Sequence, residues 1–204
     1  MRRKLTATLY SFQYLEPTQV ADPYRVSRSW FIEWQYIDVI ENMNRWFDAV
    51  LSKTIWPEEA PYLMDFHESF IMAIEAGYLM NNLYNDDRPS VFKDIKTDVE
   101  IFNNPQWFCE ADVLHHPFTY FPRSLTIQEF CNPYLVFKEF FKRHDLAAWK
   151  RLLHLLVDMS LTSEQSLYDL EDFNLLTCRQ MLDKFVDAMH LINVREYPKK
   201  LIPT

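Results

Sequence analysis

Glycine is almost missing: the chain of 204 residues contains a single one, Gly77. Phosphate-cradling loops, dinucleotide fingerprints and nucleophile elbows use glycine where backbone approaches a ligand or turns through positive φ, so those sites are nearly excluded. Tight hairpins lose their favoured turns for the same reason, which disfavours an all-β fold. Cysteine is also scarce. Cys109, Cys131 and Cys178 are odd in number and far apart, so neither a disulfide framework nor a thiolate zinc site is indicated. No apolar run approaches the roughly 18 residues that cross a bilayer. Arg2, Arg3 and Lys4 open the chain, but Thr6, Thr8, Ser11 and Gln13 interrupt the apolar residues after them, so no signal-peptide core forms. These absences lead us to expect a cytoplasmic protein without membrane association. Excess positive charge is lacking too: 21 Lys and Arg stand against 29 Asp and Glu, net −8, which opposes binding to nucleic acid by the molecule as a whole.

Aromatic residues are what the chain has in plenty, with 11 Tyr, 6 Trp and 16 Phe in a sequence that is 49% hydrophobic. Such a composition buries ample apolar surface and argues against disorder, and the length suits one helical domain over residues 1–204. Charge suggests a subdivision into an acidic helical half, 1–104, and a loop with C-terminal helices, 105–204. Residues 29–104 hold five basic and fourteen acidic side chains, whereas residues 123–151 hold six basic and three acidic. No repeat with a period of twenty to fifty residues is visible.

Apolar periodicity predicts an irregular all-α bundle of about five to seven helices with a long central connection rich in proline and aromatics. Residues 5–15 fit a strand or a helix equally. A polar connection over 17–28 should lead, through Ser27 or Ser29 as a cap, into one long helix ending near residue 52. Pro57, Glu58 and Glu59 suit the first turn of a second, reaching residue 84. Within it Ala73 and Gly77 suggest a close helix crossing. A shorter helix is expected over 90–102. Thr126 and Glu129 have capping-box spacing, Asn132-Pro133 restarts the helix, and Asp145 caps the next. The last helix should span about residues 173–193.

Residues 112–123, reading Asp-Val-Leu-His-His-Pro-Phe-Thr-Tyr-Phe-Pro-Arg, least resemble helix. His115 and His116, with Asp112, offer the best case for a metal, and Asp187 with His190 repeats the Asp-x-x-His spacing. Carboxylate-bridged bundle sites need Glu-x-x-His twice, which this chain lacks, so we expect no cofactor. Asp183 and Asp187 read as a salt-bridged surface with Arg179, and Lys150, His154 and Asp158 as a solvated ladder. His67 reads as a hydrogen-bonded core or boundary histidine. Tyr134 with Lys138 and Ser90 with Lys93 copy the spacing of enzyme motifs without the glycine-rich folds those motifs need.

Lys138, Lys142, Arg143, His144, Lys150 and Arg151 form a basic block interleaved with aromatics, better suited to an acidic protein partner, or to the chain's own acidic helices, than to nucleic acid in a chain of this net charge. The expectation is therefore a non-enzymatic helical protein acting by protein–protein contact or self-association. Its contact residues would be His115, His116, Phe118, Tyr120 and Arg123 in the connection, with Lys138, Lys142 and Arg143 in the basic block. The alternative is a metal-dependent helical enzyme centred on His115 and His116.

Overall fold

The computed structural model describes residues 12–52, 54–83, 88–93, 98–110, 115–162 and 174–197. These residues form an all-α irregular bundle. Six helices have ten residues or more: α2 (Tyr24–Glu33), α3 (Tyr36–Ser52), α4 (Ala60–Leu83), α7 (Tyr134–Arg143), α8 (Leu146–Leu161) and α9 (Leu175–Glu196). Three have five: α1 (Pro17–Ala21), α5 (Asp98–Phe102) and α6 (Ile127–Cys131). Short 3-10 turns occur at Pro105–Trp107 and Pro117–Tyr120.

Several local expectations need correction. The long helix expected up to residue 52 is broken: α2 ends at Glu33, Trp34 is extended (φ −115°, ψ 107°), and α3 starts at Tyr36. Trp34 places its ring edge-on against Tyr62 and Phe66 of α4, at 5.2 and 5.3 Å. Tertiary burial of a large ring thus overrides local helix propensity, and no proline or glycine announces the break. Residues 17–28 are not a mere connection, since α1 and the start of α2 lie there. Pro57, Glu58 and Glu59 precede α4 rather than forming its first turn. Residues 91–93 are not helical, so the helix expected over 90–102 is described only at Asp98–Phe102. Of the ambiguous stretch, 5–11 lie outside the described residues and 12–15 are non-helical.

The chain is also built twice, with a period too long for the short repeats sought in the sequence. Helices α1 to α4 and α6 to α9 follow the same plan, and their first three members correspond at a shift of 110 positions. Asp22-Pro23-Tyr24 matches Asn132-Pro133-Tyr134. The cap residues agree in backbone, Asp22 at φ −139°, ψ 82° and Asn132 at φ −135°, ψ 88°. Packing is exchanged reciprocally: α4 lies on α8 as α9 lies on α3, and α2 lies on α9 as α7 lies on α4. Such an exchange is what an approximate two-fold relation between two units produces. Equivalent residues meet across it, Tyr134 donating its hydroxyl to that of Tyr24 at 3.2 Å.

One hydrophobic core runs through both units, from Tyr24 to Ile192. Gly77 sits inside α4, but it does not serve the close backbone crossing its spacing suggests. A Cβ there would lie 2.6 Å from the Phe185 ring of α9, so the missing side chain is a notch for that ring. Phe185 in turn packs against Phe137 and Phe140, 5.2 and 4.8 Å between centroids, and Phe140 stacks on Trp149 at 3.9 Å.

Candidate functional site

The proline- and aromatic-rich connection is pinned from beneath and shows rings above. Pro117 sets the first position of the Pro117–Tyr120 turn, where its missing N–H costs nothing, and the His116 ring nitrogen Nδ1 accepts from the Phe118 amide at 3.4 Å. Tyr120 is buried, its ring 6.5 Å from Tyr36 and 6.4 Å from His190. Phe121 stands edge-on to buried Phe108 at 5.1 Å. His190 bonds the Phe108 carbonyl at 2.8 Å through Nε2, and Arg195 donates to the Trp107 carbonyl at 2.8 Å. Arg195 is itself buried between the faces of Phe92 and Phe130, and that desolvation lowers its pKa to about 9.

Above this floor lies an apolar surface. Phe118 is 41% exposed, Phe102 of α5 46% and Val99 65%. Phe102 stacks on Phe121 at 5.2 Å and lies 5.9 Å from Phe118, so the exposed rings continue a buried set. His115 and His116 flank the patch and are exposed, His116 stacked on Phe118 at 5.4 Å. Of the expected contact residues, His115, His116 and Phe118 therefore belong together on the surface, and Arg123 is exposed in the non-helical stretch that follows. Tyr120 is an anchor instead. Val99 and Phe102 escape the sequence reading; their three-residue spacing on a short charged helix is the available signal.

The basic block occupies a different support, α7 against α4 and α9, and Lys138, Lys142 and Arg143 are all exposed. Burial first, then the charges of Arg143 and Arg151, pushes the His144 imidazole down, which places these cations around the α7–α8 corner. Lys150 departs from the expected solvated ladder. Its ammonium is largely buried and meets the Glu75 carboxylate of α4 at 2.6 Å.

Two buried carboxylates overturn the surface reading of this region. Glu75 accepts from the Gln13 and Tyr14 amides, at 2.6 and 3.1 Å, and from Lys150. Asp187, expected on the polar side of its helix, is 1% exposed and accepts from the Tyr36 hydroxyl at 2.6 Å and the Ser124 amide at 2.8 Å. Burial pushes its pKa up to about 6. Glu75 and Asp187 are equivalent in the two units, each tying down the backbone that leads into the unit's first helix. Asp183 does pair with Arg179, at 2.9 Å.

Comparison with protein-family models, curated proteins and solved structures finds no match to this chain. Among the described residues no group of three or more His, Cys, Asp or Glu is placed to hold a metal, and Asp112 lies outside them. Ser90 and Tyr134, each part of an enzyme-like spacing, do meet at 3.1 Å, but their bonds run on to Glu196 and Tyr24 in a buried network. His67 is buried as expected, though among the described residues neither ring nitrogen has a hydrogen-bond partner. Burial and neighbouring His154 lower its pKa to about 4. No described helix is long and apolar enough to cross a membrane.

Proposed function

We propose that this protein acts without catalysis, by protein–protein contact, and that the patch formed by Val99, Phe102, His116 and Phe118 is its contact surface. The observation that carries the reading is the pairing of exposed with more deeply set rings: Phe118 and Phe102 face solvent while Phe108 and Phe121 hold them from below. Aromatic side chains fixed in advance lose little entropy on docking, which is why such anchors dominate interface energetics. The histidines give the patch a polar rim, as interfaces have. Charge segregation supports the same reading, because the basic corner at α7 and α8 suits steering of an acidic surface.

The test compares the intact protein with a Phe102→Ser, Phe118→Ser double variant. Light scattering over a range of concentrations reports self-association, and recovery from native lysate reports other partners. We expect one of these to be present in the parent and lost in the variant, with circular dichroism unchanged. A parent that stays monomeric and recovers the same proteins as the variant sinks the proposal.

A further inference from the structure

The two units differ in one place where their equivalence makes the difference informative. In the second unit, the segment leading into α6 lies across α3 and α9, with Tyr120 over Tyr36 and His190 and the Ser124 amide held by Asp187. The equivalent surface of the first unit lies between α4 and α8. There the described residues leave a groove of about 590 Å³, lined by Tyr78, Leu146, Ala147, Lys150 and His154 among others. Tyr78 and Leu146 stand where His190 and Tyr36 stand in the other unit. The groove and the covered surface are thus the same place in two copies of one plan.

The approach to the groove is also the same. Gln13 and Tyr14 give their amides to Glu75, as Ser124 gives its amide to Asp187. Phe12, where the described residues begin, already lies 6.5 Å from Tyr78 on the groove wall. At the shift of 110 that relates the units, Tyr10 corresponds to Tyr120. We propose that the α4–α8 groove is the docking site of the chain's own segment before Phe12, with the Tyr10 ring against Tyr78 and α8 as Tyr120 lies against His190 and α3. A groove of this volume lies within the range that encloses several side-chain-sized groups, about 300–1,000 Å³. Its walls are mainly apolar, and an aromatic ring supplies the apolar area to cover them.

Two measurements on the full chain decide it. In a Leu9→Cys, Ala147→Cys variant, which keeps the Tyr10 ring, a short bis-maleimide should join the two positions within one chain, mapped by mass spectrometry, while either single variant gives no such product. Links only between chains, or to Cys131, overturn the proposal. Hydrogen exchange supplies an arm that needs no cysteine. Tyr10→Ala should speed exchange at the start of α8 by about tenfold, whereas Tyr10→Phe should restore the parent rate because the ring supplies the packing. Equal rates in all three proteins overturn it as well.

Discussion

The two units share a plan but solve the same burial problem with opposite electrostatics. In the first, the carboxylate that clamps the entering backbone, Glu75, is met by an ammonium, Lys150. In the second, Asp187 is met by a neutral hydroxyl, Tyr36. The surfaces diverge in the same manner. Positions 138, 142, 143 and 151 carry Lys138, Lys142, Arg143 and Arg151, while their counterparts are Arg28, Ile32, Glu33 and Glu41. The contrast teaches that geometry alone is what the plan requires: a carboxylate at one place on the fourth helix and an amide beneath it. The charge that accompanies it is free to vary.

The largest expected effect breaks this comparison directly. Glu75→Gln leaves the Lys150 ammonium largely buried without its counter-charge, and loss of one member of such a pair costs about 3–5 kcal/mol. Asp187→Asn strips no cation of its partner and removes a charge that burial already disfavours. It should cost about 1 kcal/mol, the net value of one hydrogen bond. Urea unfolding of both variants gives the two figures. Equal losses would show that the clamps work alike in spite of their partners.

Acid offers the next separation. His67 and His190 are each held near pKa 4 in the folded protein, against 6.5 when solvated. A depressed imidazole pKa means that the unfolded chain binds more protons, so each contributes stability that is complete above pH 6.5 and lost as pH falls towards 4. The size is about 3 kcal/mol apiece. Asp187 acts in the opposite sense. Its folded pKa of about 6 exceeds 3.8, so the folded state takes up the proton first and gains about 3 kcal/mol over nearly the same window as pH falls. In the second unit, His190 and Asp187 almost cancel; in the first, His67 has no such opposing group. Between pH 6.5 and 4 a His67→Leu variant should therefore lose about 3 kcal/mol less stability than the parent, while His144 and Glu129, whose pKa values are also lowered, keep a downward slope in both proteins. Thermal or urea unfolding at closely spaced pH values reads both slopes.

How much of this was legible depended on whether a local residue announced it. In the second unit Asn132-Pro133 and Asp145 mark the breaks before α7 and α8, and both were readable. In the first, the break at Trp34-Gln35 has no cap residue to signal it; packing of the Trp34 ring on α4 makes it, at the place equivalent to His144-Asp145. The aromatic connection was readable as a pinned segment because prolines and rings cluster within it. The burial of Asp187 was not, since its partners Tyr36 and Ser124 lie 151 and 63 residues away. Gly77 was readable as a place for close approach, but not as a notch for Phe185. Gly77→Ala tests that notch and again separates the units, because Met189 stands at the equivalent position of α9. Helix propensity alone would favour alanine by about 1 kcal/mol. Phe185 is hemmed in by Phe137 and Phe140, so overpacking should prevail with a net loss of about 1–3 kcal/mol by chemical denaturation. A stabilised variant would show that the ring can move aside.

The smallest expected difference lies at the starts of α1 and α6, which have the same length and the same exit geometry. Thr126 caps α6 reciprocally: its hydroxyl accepts from the Glu129 amide at 3.3 Å, and the Glu129 carboxylate accepts from the Thr126 amide at 2.8 Å. Lys184 then holds that carboxylate from α9 at 2.6 Å. At α1 the return bond is present, with the Gln19 amide oxygen accepting from the Glu16 N–H at 2.8 Å. The Glu16 backbone carbonyl, rather than a hydroxyl, receives the Gln19 N–H, and Gln19 reaches the Met72 thioether at 3.8 Å where Lys184 makes an ion pair. Thr126→Ala should therefore cost about 1 kcal/mol and Glu16→Ala only a few tenths. Adding salt should narrow the gap between Glu129→Gln and the parent, because the pair with Lys184 is partly exposed, and leave the Thr126→Ala loss nearly unchanged. If instead Glu16→Ala proves as costly as Thr126→Ala, the two entrances are equivalent in energy as well as in shape.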